Sequence, residues 1–161
     1  MLSKLRKSKE EQGFTIIEVL IVLAIAGLIL LIVFLAVPNL QRNSRNTQRK
    51  DDVSRIGSAV QEFINNNNGT SPTAADSATI QNLTGKMAYF TAANVTVVGN
   101  APAAVTNNTT VDTVNIYTQA VCGTNAGNQG ATSTGSTTRS IAIVYSTENS
   151  TATPTKLCTS E

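Results

Sequence analysis

From Gly13 to Val37 the chain reads GFTIIEVLIVLAIAGLILLIVFLAV, apolar at almost every position and carrying a single charge, Glu18, near its start. The pattern is apolar all round a helix rather than on one face. The 24 residues from Phe14 to Val37 would extend roughly 36 Å as a helix, enough to cross a hydrocarbon core of about 30 Å. After Pro38 the pattern changes. Asn39 to about Asn65 is polar, with Val53, Ile56, Val60, Phe63 and Ile64 recurring every three or four residues. That periodicity predicts an amphipathic continuation of the helix, with its apolar stripe packed on a sheet. Projected at about 100° per residue, Arg42, Arg45 and Arg49 fall on the same face, one to three turns earlier.

Gly27 and Pro38 are the weak points of the long helix. Pro38 cannot donate to the carbonyl of Phe34, and its ring crowds that turn. A bend is expected there, and in a packed assembly local melting between Gly27 and Pro38. Asn65–Thr79 reads as a loop, with Gly69 and Pro72 as breakers. Ile80–Phe90 holds Leu83, Met87, Tyr89 and Phe90, a small core patch of undetermined secondary structure. Strand candidates follow at Val95–Val98, Val111–Val121 and Arg139–Ser146. In the last, Ile141, Ile143 and Tyr145 alternate with Ala142, Val144 and Ser146. Gly123–Thr138 is too polar to carry a core. The expected fold is α+β: a long N-terminal helix packed on a small antiparallel sheet.

Composition adds bounds. Residues beyond Pro38 suffice for one modest domain, and they are rich in Thr, Asn, Ser, Ala and Gly. The net charge of +2 resides in Met1–Gly13, where Lys4, Arg6, Lys7 and Lys9 outweigh Glu10 and Glu11; from Phe14 onward acidic and basic side chains balance. Bulk charge therefore gives no reason to expect a polyanion binder. His and Trp are absent, which removes the commonest general base and metal ligand. With no phosphate loop, nucleophile elbow, ligand cluster or calcium-loop spacing in the chain, no enzyme, metal site or cofactor is expected. Asp51 and Asp52 are helix neighbours about 100° apart, not a catalytic dyad, and Asp51–Arg55 is an ordinary i,i+4 pair. Asn-x-Ser/Thr triplets at Asn68, Asn82, Asn94, Asn107, Asn108 and Asn149 are accounted for by composition. Cys122 and Cys158 are the two cysteines. In an exported chain they read as a disulfide, worth about 3–4 kcal/mol through restriction of the unfolded chain; the alternative is two buried thiols.

The N-terminus carries the most specific signal. A secretory signal peptide has a shorter apolar stretch, with a small-residue cleavage site after it. Here the small residue, Gly13, precedes the apolar run. Gly13-Phe14-Thr15-Ile16-Ile17-Glu18-Val19-Leu20 resembles the prepilin motif of type IV pilins. The resemblance implies cleavage after Gly13 by a membrane aspartyl prepilin peptidase, N-methylation of Phe14, and Glu18 as the assembly glutamate. A carboxylate within a bilayer helix costs roughly 2.5–3.5 kcal/mol on insertion scales. The ammonium exposed at Phe14 of a neighbouring subunit would give it a partner. Two features depart from the common pattern, Glu10-Glu11-Gln12 before the glycine and a Pro38 about one turn late. The resemblance also implies that the Cys122–Cys158 segment is the disulfide-bounded loop of a pilin head.

These features divide the chain into a cleavable leader (1–13), a transmembrane and polymerisation helix (14–38), its amphipathic continuation (39–65) and a small β-rich head (66–161). They imply a structural subunit of a type IV pilus, a major pilin above all, inserted in the cytoplasmic membrane with its leader cytoplasmic and later part of an extracellular filament. Implied partners are copies of itself, prepilin peptidase, the pilus assembly machinery, minor pilins, and membrane lipid before assembly. Adhesion, twitching motility or DNA uptake would belong to the fibre. The alternatives are a pseudopilin of a type II secretion or competence system, and a membrane-anchored binding domain that never polymerises. The stalk arginines Arg42, Arg45 and Arg49 would meet neighbouring subunits or lipid headgroups, or stand solvated; DNA contact is the weaker third reading.

Overall fold

A computed structural model describes residues 13–100, 110–123, 131–132, 137–151 and 153–160. The leader residues before Gly13, the triplets at Asn107 and Asn108, and most of Gly123–Thr138 lie outside these. The chain forms two compact units, one ending at Leu40 and the other running from Gln41. Helix α1, Ile16–Asn66, supplies the first unit and begins the second. It is helical without interruption through Gly27 and Pro38.

The second unit places the rest of α1 against a four-stranded sheet of order β1-β2-β5-β6. Its strands are β1 (Val95–Asn100), β2 (Val114–Thr118), β5 (Ile141–Thr147) and β6 (Thr155–Ser160). A two-residue ladder joins β3 (Val121–Cys122) to β4 (Ala131–Thr132). The α+β class is as expected, but the sheet is mixed rather than antiparallel: β1 runs parallel to β2, and only the β2–β5 and β5–β6 pairs are antiparallel. The stretch Val111–Val121 is not one strand, because Gln119 takes a left-handed backbone (φ 51°) and ends β2 at Thr118. β6 was not anticipated. Its sequence, TKLCTS, has no apolar alternation and is held by its ladder with β5.

The predicted stripe is the buried face of α1. Ile56, Val60 and Ile64 are completely buried, with Val53 and Phe63 nearly so. They meet Val95, Val97, Val114, Ile116, Ile141, Ile143 and Tyr145 from the sheet, with Ile80 and Phe90 closing the sides. Each such side chain contributes on the order of 2 kcal/mol relative to exposure. β5 is buried along its whole length. Its alternation sorts residues between two cores: Ile141, Ile143 and Tyr145 toward α1, and Ala142 and Val144 into a smaller cluster with Tyr117 and Ala120, edged by Cys122 and Cys158.

The loop expected over Asn65–Thr79 is shorter than composition suggested. α1 continues to Asn66 and stops where Asn68 and Gly69 turn left-handed (φ 54° and 83°), with the Gly69 N–H donating to the Ile64 carbonyl at 2.8 Å. A 3-10 turn over Ala74–Asp76 then leads into α2, Ser77–Thr84. The signal overlooked is Thr73-x-x-Asp76, a capping pair in which Asp76 accepts from the Thr73 N–H and hydroxyl at 2.8 and 2.7 Å.

Asp52 is completely buried on α1. It accepts three backbone N–H bonds, from Ala88, Tyr89 and Phe90, at 2.9, 2.7 and 3.0 Å. One carboxylate thereby satisfies three successive donors and fixes the segment that brings Tyr89 and Phe90 onto the core. Asp52→Asn replaces an acceptor with an NH₂ facing those donors. A loss of about 2–3 kcal/mol is expected in denaturant unfolding of the detergent-solubilised chain, with Asp51→Asn, at an exposed position, near neutral.

Candidate functional site

The processing segment opens the first unit. Gly13 and Phe14 are exposed, Phe14 at 87%. A Cβ built on Gly13 meets no atom within 4 Å, so nothing in the chain's own packing requires glycine there. Thr15 caps α1. Its N–H and hydroxyl donate to Glu18 Oε2 at 2.8 and 2.7 Å, while the Glu18 N–H reaches the Thr15 hydroxyl at 3.4 Å. This is a reciprocal capping box. One oxygen of the Glu18 carboxylate is thus engaged by the second residue after the Gly13–Phe14 bond. Beyond it, α1 contains an 18-residue window of mean hydropathy 3.4, none of it buried within the chain. By length and composition it can span a membrane. A Cβ on Gly27 also meets nothing within 4 Å.

The second unit carries a polar clasp. Arg45 forks onto Glu148, Nε to Oε1 at 2.9 Å and NH2 to Oε2 at 2.5 Å. Arg49, completely buried, donates to Glu148 Oε1 at 2.7 Å, to Asn46 Oδ1 at 2.8 Å and to the Tyr89 hydroxyl. Its guanidinium lies 3.9 Å over the Tyr89 ring, and its Nε has no hydrogen-bond partner. Asn46 binds the Glu148 backbone reciprocally, Nδ2 to the carbonyl at 2.8 Å and Oδ1 from the N–H at 2.9 Å. Tyr89 passes its own proton donor to Asp112 Oδ1 at 2.7 Å. Burial first, and then the bond to Asp112, push the Tyr89 phenol above its ordinary range.

Arg49 is therefore not a solvated stalk residue, and both it and the partly exposed Arg45 pair with Glu148 inside the unit. Among the described residues the ion pairs are these two. Asp51–Arg55 is not one of them: Arg55 reaches the Lys86 carbonyl instead, at 3.4 Å. Cys122 and Cys158 form a disulfide, with their Cα atoms 5.6 Å apart, joining β3 to β6. Sequence reasoning missed Glu148, Tyr89 and Asp52 as organising residues. The available signal was Arg49 itself, a cation lying on the projected face of the buried stripe.

Hydrogen bonds from Arg45 first and Arg49 second hold the Glu148 carboxyl down at about 2, against a desolvation cost that opposes them. A depressed carboxylate contributes stability above its ordinary pKa of 4.5 and loses it as pH falls through about 2. Glu148→Gln strands the buried Arg49 charge, and a loss of about 3 kcal/mol is expected at neutral pH. Arg45→Ala, which removes a partner 43% exposed, costs under about 1 kcal/mol. Thermal melts between pH 5 and 2 are expected to show a stability decline in wild type that flattens in Glu148→Gln.

Comparison with known proteins bears on the first unit. Residues 8–34 match the family model for the prokaryotic N-terminal methylation motif. No curated protein and no solved structure matches the chain. The matched span contains Gly13, Phe14, Thr15 and Glu18 and more than half of the apolar run. The apolar helix and this motif together fit membrane insertion of a precursor. The match supports a type IV pilin-like or pseudopilin precursor with a class III signal peptide.

Proposed function

We propose that this protein is a structural subunit of a type IV pilus, a major pilin, cut after Gly13 by prepilin peptidase, methylated at Phe14 and polymerised through Phe14–Val37. The observation that carries this reading is the pairing of a methylation motif with an apolar helix that its own chain leaves uncovered. Lipid covers that helix in the cytoplasmic-membrane precursor, with residues 1–13 cytoplasmic. Identical helices cover it in the extracellular filament. Glu18, held by Thr15 in the single chain, takes a neighbour's Phe14 ammonium as a further partner on its carboxylate. Replacing lipid contacts by helix contacts gives little hydrophobic gain, so packing and this charge pair supply the selectivity.

Gly27 and Pro38 are the positions at which the helix yields during packing, because each weakens its local turn. The head, residues 66–161, faces outward with its disulfide-bounded segment. Peptidase, assembly machinery and minor pilins are the partners this role requires. Adhesion, twitching motility and DNA uptake are functions such a fibre serves.

Two substitutions test the reading in the native host. Gly13→Ala disturbs no packing in the chain, so its effect reports on processing; uncleaved, membrane-held precursor is expected on gels, with no surface fibres. Glu18→Ala is expected to be cleaved but to leave few or no fibres by electron microscopy. Wild-type fibres from both variants would overturn the proposal. Intact fibres in a gene deletion, with secretion lost, would favour the pseudopilin role.

A further inference from the structure

β1 is an end strand of the sheet, and its sequence, VTVVGN, is the kind that adds to other strands: β-branched, uncharged and without proline. Val95 and Val97 point into the core, whereas Thr96 and Val98 are exposed. Yet two of the outward backbone groups are engaged by side chains. The Val97 N–H donates to the Ser77 hydroxyl at 3.2 Å, and Gln81 Nε2 donates to the Val95 carbonyl at 2.9 Å. Both side chains come from α2, one turn apart on the same face. The Ser77 hydroxyl is committed twice, since it also donates to the Ala74 carbonyl at 2.8 Å. The strand's pairing with β2 shifts between Val97 and Gly99, where Gly99 adopts φ 88°, and such a bulge turns an edge out of register.

The opposite edge is closed by different means. Pro154 precedes β6, Lys156 lies within it, and the Cys158 disulfide ties it to β3. Each end of the sheet thus has its own device against strand addition.

We propose that Ser77 and Gln81 form a strap that keeps the β1 edge closed against the β1 of a second copy of this chain. The occupant is another β1 because an exposed VTVV edge is self-complementary: two copies related by a two-fold axis pair antiparallel through identical residues. The strap confines association to surfaces other than the sheet, and it operates whatever the processing of the N-terminal segment.

The test is backbone amide exchange on the full chain in detergent, over a range of protein concentrations. In wild type, Val97 N–H protection is expected to be independent of concentration. In Ser77→Ala/Gln81→Ala, exchange at Val97 is expected to rise roughly tenfold at low concentration, the equivalent of one lost hydrogen bond. Protection should return as concentration rises and copies pair, while β2 and β5 amides stay protected throughout. Adding Thr96→Lys, which places like charges opposite each other in the pair, should abolish that return. Val97 exchange equal to wild type at every concentration, or lost without recovery, would overturn the proposal. If the double variant loses protection across the whole sheet, the same comparison on Ser77→Ala alone decides by the same criteria.

Discussion

A single helix here must satisfy two different surroundings. Up to Val37 the side chains of α1, Glu18 apart, are apolar on every side and none is buried within the chain. From Arg49 to Ile64 the same helix has one face sealed beneath a sheet. A polypeptide cannot leave eighteen large apolar residues in water, so the first half demands a cover from outside the molecule. The second half needs only its own domain. Capping at Thr15–Glu18, the fold of the second unit and the methylation motif all acquire sense from that division.

The second half is not held by apolar packing alone. Arg49 and Asp52 sit one turn apart on the buried face, and each is satisfied by a segment distant in sequence: Glu148 and Tyr89 for the arginine, the Ala88–Phe90 amides for the aspartate. These contacts fix which rotation of α1 lies on the sheet, something a stripe of valines and isoleucines leaves loosely specified. The same economy appears at the sheet edges, where side chains from α2 and a disulfide close what the strands leave open. The apolar run up to Val37 is the surface that the chain itself leaves uncovered.

Local patterning made much of this legible. The bilayer-length run, the motif at Gly13–Glu18 and the stripe from Val53 to Ile64 each lie within a few consecutive turns, so period and spacing reveal them. Three of the four main strands follow from β-branched clusters. β6 did not, because TKLCTS owes its conformation to the ladder with β5, and the parallel β1–β2 pairing depends on a connection whose path no local pattern encodes. The clasp was hidden for a related reason. Arg49 and Glu148 lie 99 positions apart, and a lone glutamate after a strand carries no mark of the cation it will meet. The arginines on the stripe face were visible, but the sheet connection that reaches down to them was not.

The central claim is that the apolar helix stays on the mature protein as its assembly element. Intact-mass spectrometry of the protein recovered from sheared surface material tests it most directly. The account predicts a chain that begins at Phe14, carries one added methyl group and retains the Cys122–Cys158 disulfide. A chain that begins at Met1, or one cut beyond Val37, would contradict it.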